Sequence, residues 1–381
     1  MNYKVMISAG EASGDLHAAN LFAELKGLDL ELECYGMGGS LLAAEGMELL
    51  LDCRELSVVG LVEVLLQYRK IMRHLHSLET VLEERRPDLL ITVDYPGFNL
   101  KLAKFARDRG IKVIHYISPQ VWAWRAGRVK QIAAAVDHIA VLFPFEEAIY
   151  QQAGVPVTFV GHPLVDQVKT ELTTQQAKQK FQLDNRLKTV GLMPGSRNSE
   201  IERLLPVLLE SAQTLQNRLG KLNFILPLAN SINRPQLENK IEQSGLNIQV
   251  VQNQTHNAIT ACDAVITASG TATLEIALLG VPMVIVYKVN ALSFAIARRL
   301  MKIPYIGLAN IVAGQRVVRE FLQHDAKADL IADEIEKLLS DEAYHAQVCQ
   351  HLSKIKAKMG RGGGSLNMAK LVQQTLIHDK P

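Results

Sequence analysis

The sequence predicts an α/β protein of two Rossmann-like domains, each a parallel sheet flanked by helices, with a ligand cleft between them. Three observations predict it. Short apolar runs alternate with longer amphipathic segments from end to end, the pattern of parallel strands wrapped by helices. The series occurs twice, on either side of a Gln- and Lys-rich stretch over Thr170–Lys188. The chain has 381 residues, 48% of them hydrophobic, which is enough for two full cores.

In the first series the apolar runs place strands near Val5–Ser8, Leu32–Tyr35, Leu89–Val93, Val113–Ile117, His138–Leu142 and Val157–Val160. Helices between them include Asp15–Lys26, Phe98–Arg109 and Arg125–Ala135. The second series places strands near Thr189–Met193, Asn223–Leu226, Ile248–Val251, Ala264–Thr267 and Met283–Val286. The boundary falls at FVGHPLVD, where His162-Pro163 follows a glycine and reads as a linker turn. The expected domains are residues 1–165 and 166–355. A last helix within 356–381 follows the glycine break MGRGGGS and packs back on the first domain or on a partner subunit. No 20–50-residue repeat points to a solenoid.

Composition excludes several classes. Lys and Arg number 41 against 39 Asp and Glu, so no basic field makes nucleic acid the default partner, and any anion or membrane contact is local. The 4 cysteines, Cys34, Cys53, Cys262 and Cys349, are scattered without a C-x-x-C pair, which suits a reducing, cytoplasmic compartment. No apolar run reaches the ~18–20 residues of a membrane span, and the N-terminus does not read as a signal peptide.

Two turns of the second series suit phosphate. In GLMPGSRNSEIERLLP, Gly195, Ser196 and Arg197 stand between a strand and a helix: glycine admits an anion to the backbone amides, the helix start adds positive charge, and arginine can grip phosphate oxygens in pairs. In VITASGTATLEIALLG, Ser269, Gly270 and Thr271 open another helix, and Glu275 one turn in can accept hydrogen bonds from a ribose. The alternative for both is an ordinary capped helix. A P-loop and a complete G-x-G-x-x-G are missing. So is a D-x-D pair for a divalent cation, and a metal-independent site without cofactor is expected.

The first series offers carboxylates instead. Asp94, in LLITVDYPGFN, ends an apolar strand just before a proline turn, where it either caps a helix or faces a ligand beyond the strand's carboxyl end. ISAGEASGDLHAANL sets Gly10, Glu11, Ser13, Gly14 and Asp15 in a strand-to-helix connection, with Asp15 also readable as a simple N-cap. Both tryptophans, Trp122 and Trp124, fall in a stretch read as a loop beside Arg125, Arg128 and Lys130, suiting a headgroup layer, a sugar-binding wall or plain packing. Between Ser57 and Leu82 an apolar stripe of Val58, Leu61, Leu65, Tyr68, Met72 and Leu75 runs beside Arg69, Lys70 and Arg73. It suits an anionic bilayer surface, a core helix being the commoner outcome for such a pattern.

The segments SAGEASGD, VDYPGFN, HYISPQVWAWR, FVGHPL, LMPGSR, ASGTATLE and LANIVAG stand in the order and spacing of the lipid-A-disaccharide synthase family, which the whole chain resembles. The resemblance implies a GT-B glycosyltransferase whose N-terminal half holds the acceptor and whose C-terminal half holds the nucleotide sugar. It implies inverting transfer of 2,3-diacylglucosamine from UDP to 2,3-diacylglucosamine 1-phosphate (lipid X), giving a β-1′,6 disaccharide and UDP at the cytoplasmic face of the Gram-negative inner membrane. Asp94 aligns with the family's essential aspartate, Arg197 with the arginine of its P-G-S-R loop, and Glu275 with the uridine-binding segment. Asn310 and Gln315 fall in a loop closing on the nucleotide, although the proline often found before Asn310 is here Ala309. Glu11, Ser13, Gly14 and His162 are the acceptor-side candidates. Val58, Leu61, Leu65, Tyr68, Arg69, Met72 and Arg73 are the membrane-facing ones, and a homodimer is compatible with the reading. The same scaffold also serves UDP-N-acetylglucosamine 2-epimerases and polyprenyl-linked sugar transferases, and a regulator that binds a nucleotide sugar without turnover is the reading from another class.

Overall fold

The structure, a computed structural model, describes residues 2–56, 61–119, 121–124, 127–290, 299 and 303–378. The chain divides into two compact units, one of residues 1–163 with 361–381, the other of residues 164–360.

The first unit holds a seven-stranded parallel sheet of β1 (Asn2–Ala9), β2 (Glu31–Gly38), β3 (Glu48–Asp52), β4 (Leu89–Val93), β5 (Lys112–Tyr116), β6 (His138–Val141) and β7 (Val157–Phe159), in the order β3-β2-β1-β4-β5-β6-β7. Its central strands are mostly apolar and buried on both faces: every residue of β4 is buried, because helices cover the sheet on either side. One layer packs Leu75, Leu78, Leu82, Phe98, Leu102 and Tyr150 on Met6, Leu90 and Val113. The edge strand β3 goes unread in the sequence, since ELLLD is short and does not alternate. The helix expected at 98–109 runs Pro96–Arg107, with proline at its first position, where the missing N–H costs nothing.

The tryptophan stretch is a correction. Val121–Trp124 forms a helical turn rather than a loop, and Arg128–Ala133 forms a second short helix. Trp122 packs edge-on against Phe145, with ring centroids 5.4 Å apart, and its Nε1 donates to Glu146 at 3.2 Å. Packing within the unit therefore accounts for Trp122.

The last helix, Gly364–His378, docks on the helix Ala12–Lys26 of the first unit. Glycine permits the docking: a Cβ on Gly364 would stand 2.8 Å from the Gly161 carbonyl oxygen. Asn367 Nδ2 closes the contact by donating to the Val160 carbonyl at 2.9 Å.

The second unit repeats the plan with β8 (Thr189–Met193), β9 (Asn223–Leu228), β10 (Ile248–Gln252), β11 (Ala264–Ala268), β12 (Met283–Tyr287) and β13 (Glu320–Leu322), in the order β10-β9-β8-β11-β12-β13. The three-residue β13 was invisible as a pattern. Among the described residues no helix is long and apolar enough to cross a membrane.

Candidate functional site

The two sheets share one strand order and therefore one topological feature. Between β1 and β4, and again between β8 and β11, successive connections leave in opposite directions, opening a crevice beyond the strands' carboxyl ends. Ala9 of β1 leads into Gly10 and Glu11, and Val93 of β4 leads into Asp94. Met193 of β8 leads into Pro194–Arg197, and Ala268 of β11 into Ser269–Thr271. The residues singled out for chemistry thus stand at the switch points of their own units.

Asp94 sits in a strained, heavily braced turn. It and Tyr95 adopt φ of 47° and 48°, a left-handed conformation that non-glycine residues enter only when their surroundings compel it. The Asp94 N–H donates to Tyr116 O at 3.0 Å. Asn99, fully buried, places Nδ2 at 2.8 Å from Asp94 O, 3.0 Å from Val93 O and 3.1 Å from Ser8 O, while its Oδ1 accepts from Ser8 Oγ at 2.7 Å. Sequence reasoning quoted Asn99 within VDYPGFN but gave it no role; the available signal was an amide on the first helical turn, a poor place for one unless it bonds the backbone.

Burial raises the carboxyl pKa of Asp94, partly offset by a hydrogen bond from the Tyr95 N–H. Glu11 is raised too, by burial first and then by the Asp94 charge. Ser13 is exposed beside Glu11, whereas Gly14 is buried against Ala9 and the Val93 carbonyl. His162, half-buried against Phe143, is held neutral, its pKa pushed down to about 4 by burial and by His17. Asp15 is a correction: it caps not its own helix but the next, accepting from the N–H groups of Gly39 at 2.7 Å, Leu41 at 3.1 Å and Leu42 at 3.2 Å.

In the second unit the expected anion site holds an anion of the chain itself. Gly195, at φ 115°, leaves room for the Glu200 carboxylate, which a Cβ there would meet at 2.3 Å. Glu200 Oε2 accepts from the Ser196 N–H at 2.9 Å and the Arg197 N–H at 3.3 Å, and Oε1 from Arg197 Nη1 at 3.1 Å. Amide and guanidinium donors converge on one carboxylate, and Arg197 otherwise reaches into solvent, its side chain 80% exposed.

Ser269 and Gly270 precede the helix Ala272–Leu279, with Ser269 Oγ donating to Ile306 O at 3.2 Å. Thr271 is exposed at that helix's N-cap. Glu275 lines a polar pocket of about 400 Å³ together with Lys169 and Asn253–Asn257, a short turn running into the helix Thr255–Thr260, and its Oε2 lies 3.5 Å from His256 Nε2. Sequence reasoning missed that segment; its only signal was the polar run NQTHN directly after a strand.

Asn310 has a different place from the one expected. It is fully buried: Oδ1 accepts from Val317 N–H at 2.8 Å and Val318 N–H at 3.0 Å, and Nδ2 donates to Val318 O and Glu320 Oε1, both at 2.9 Å. Its hydrogen-bonding capacity is used within the protein, so it braces the loop rather than reaching a ligand. Gln315 is exposed at the start of that loop. Among the described residues no group of three or more His, Cys, Asp and Glu is placed to hold a metal.

The amphipathic stretch splits. Val58 and the side chains of Leu61 and Leu65 lie outside the described residues. Leu75, expected in the stripe, is buried with Leu78 and Leu82 in the core. Tyr68 is 51% exposed, Met72 is half-buried, and Arg69 and Arg73 are exposed beside them. Lys101 covers part of this patch, its Nζ 5.7 Å from the Tyr68 ring centre and 3.8 Å from Met72 Sδ.

Solved structures share the architecture. A putative UDP-N-acetylglucosamine 2-epimerase from Listeria monocytogenes superposes with a TM-score of 0.67 at 12% identity, over 100% of this chain and 98% of that one. The glycotransferase of kitacinnamycin does so at 0.65 and 16% identity, over 98% and 99%. Fold and switch points therefore define a two-Rossmann protein of GT-B type. The model of the lipid-A-disaccharide synthetase family matches residues 5–375. Relatives named lipid-A-disaccharide synthase include that of Geobacter sulfurreducens, 49% identical over 98% of both chains, and that of Nitrosococcus oceani, 47% identical over 94% of this chain and 92% of its own. The chain belongs to the lipid-A-disaccharide synthase family, and is a glycosyltransferase of lipid A biosynthesis.

Proposed function

We propose that the protein transfers 2,3-diacylglucosamine from UDP to the 6-hydroxyl of lipid X, with Asp94 as general base. The observation that supports the roles most is the complementary chemistry at the two switch points: raised carboxyls in the first unit, convergent N–H donors in the second. Inversion proceeds by one displacement. Asp94 takes the acceptor hydroxyl's proton as its oxygen bonds to the anomeric carbon, while the bond from that carbon to the diphosphate oxygen breaks on the opposite face. General-base assistance of this kind is worth ~10²–10⁴ in rate.

The departing UDP carries the electron pair as negative charge on its diphosphate. In the proposal the Ser196 and Arg197 amides and the Arg197 guanidinium receive that charge after Glu200 swings aside, and electrostatic help of this type often exceeds the proton-transfer part. Glu275 accepts from the ribose hydroxyls in the pocket bounded by Asn253–Asn257. The Tyr68, Met72, Arg69 and Arg73 patch supports peripheral attachment to the anionic cytoplasmic face of the inner membrane, where both acylated substrates reside.

The test is a two-substrate assay offering UDP-diacylglucosamine and lipid X, with and without EDTA, read by mass spectrometry. Disaccharide with one UDP per turnover is the expected result, and persistence under chelation supports a metal-independent reaction. Epimerised sugar nucleotide, or UDP binding with no release, would replace this reading.

A further inference from the structure

Away from its switch point, the second unit carries a pocket of about 320 Å³ whose chemistry is one-sidedly cationic. Arg316 and Arg319 reach it from the loop after the helix Leu308–Ala313, Lys337 from the helix Ala328–Ser340, and His351 from the helix Glu342–Lys358. One carboxylate lines it, that of Glu334, 4% exposed. Its charge is already answered: Glu334 accepts from Arg319 Nη1 at 3.1 Å and from Tyr344 Oη at 2.5 Å. Other acids of the same helix are engaged elsewhere, Asp333 and Glu336 both accepting from Arg218, at 2.6 and 3.3 Å.

Arg316 and Lys337 are exposed, and neither has a carboxylate partner among the described residues; Lys337 Nζ rests 4.0 Å from the Tyr344 ring centre. The pocket's back wall is rigid, because the Val317 and Val318 amides are tied to the buried Asn310. The plainer reading is a crevice of solvated cations. Against it stand the concavity, the backbone held from behind, and a charge that the surrounding acids do not offset. Guanidinium forks and an ammonium converging on one small polar space match the oxygens of a phosphate group, whereas the apolar lining is confined to the buried Val317, Val318 and Val348 and the Tyr344 ring, little for an acyl chain to lie on.

We propose that this pocket binds a small phosphate-bearing anion through Arg316, Arg319 and Lys337, as a site separate from the one assigned to the nucleotide sugar. The same chemistry is offered by soluble phosphates and by a phospholipid headgroup.

Hydrogen exchange read by mass spectrometry tests the proposal on the full chain with UDP saturating, so that the nucleotide turn is occupied throughout. The probes are inorganic pyrophosphate, sodium chloride at matched ionic strength, and phosphatidylglycerol vesicles. Pyrophosphate is expected to protect amides in residues 315–319 and 337–351 where chloride does not. In the double variant Arg316→Gln/Lys337→Gln, half-protection should require at least about tenfold more pyrophosphate, the loss expected when charged hydrogen bonds are removed. Protection by vesicles in place of pyrophosphate would assign the phosphate to a lipid headgroup. An unchanged titration in the variant, with UDP binding and circular dichroism intact, overturns the site, as does absence of protection by either phosphate source. Neither substituted residue touches the nucleotide turn, so the result is independent of whether Asp94 is the base.

Discussion

The two units share a strand order and a crevice, yet fill it with opposite chemistry. At the first switch point stand Glu11 and Asp94, both carboxyls raised by burial and Glu11 further by the Asp94 charge; at the second, the Ser196 and Arg197 amides, an arginine and the Ser269–Thr271 turn. A doubly wound sheet supplies a place and leaves its electrostatics to a few loop residues. Proton abstraction needs a base poised above the ordinary carboxylate range, whereas stabilising a leaving diphosphate needs fixed donors, and in the proposed reaction one topology serves both.

The comparison breaks most visibly at Asp94. Asp94→Asn should lower kcat by ~10²–10⁴ in a folded protein, measured with both substrates saturating. Because burial raises the carboxyl's pKa and the base must be ionised, wild-type kcat/KM should fall with acid along a limb centred above the normal aspartate value of 3.8, and the limb should vanish in the variant. Near-normal turnover of Asp94→Asn would move the base elsewhere. Next in size, Arg197→Ala should cost roughly 10- to 100-fold in kcat/KM, the worth of one charge-assisted hydrogen bond to phosphate. If it left kcat/KM unchanged, the second switch point would lose its proposed role.

Asn99→Ala sharpens the contrast between acting and bracing residues. It leaves buried carbonyls and the Ser8 hydroxyl without their partner, so denaturant unfolding should show about 1–3 kcal/mol of destabilisation, accompanied by a drop in kcat as the Asp94 turn relaxes.

Another buried carboxyl in the first unit separates structure from catalysis. Glu146, 2% exposed, accepts from the Phe143 N–H and from Trp122, and burial lifts its pKa from 4.5 to about 7. Since the folded value is the higher, its stabilising share is fully present below pH 4.5 and is lost as pH rises through 7. His115 and His162 are depressed from 6.5 to about 4, so their share is present above pH 6.5 and is lost as pH falls through 4. Glu146→Gln should therefore gain stability over wild type progressively from about pH 4.5 to 7, by up to about 3 kcal/mol in urea titrations. A constant difference across that window would show that Glu146 does not titrate there.

The smallest expected effect lies at Glu200. Removing the carboxylate that occupies the proposed phosphate donors should tighten UDP severalfold in Glu200→Ala, while loss of the cap costs the helix about 1 kcal/mol. Weaker UDP binding would mean that Glu200 orders the turn for the ligand instead of competing with it.

Much of this was legible because buried parallel strands write themselves as apolar runs: Leu89–Val93, Thr189–Met193 and Ala264–Ala268 stand out, and a loop residue at a strand's carboxyl end follows directly. What escaped was structure made by distant pairing. Strands Glu48–Asp52 and Glu320–Leu322 are too short to show a period and exist through their neighbours. Asp15, Asn99 and Asn310 looked like a cap, a motif letter and a ligand-binding residue; each spends its side chain on backbone groups far along the sequence or around a turn, and no local pattern announces those partners.

The docking of Gly364–His378 onto the helix that begins at Ala12 also bears on how the polypeptide is made. On a ribosome, residues 164–360 emerge as an uninterrupted stretch and can close their sheet while synthesis continues, but the first lobe must wait for the helix that follows them. Its completion joins segments roughly 340 residues apart in sequence, Ala12–Lys26 and Gly364–His378, the kind of distant closure that slows folding. The nascent first lobe accordingly leaves the surface of its opening helix uncovered until residues 364–378 have been made.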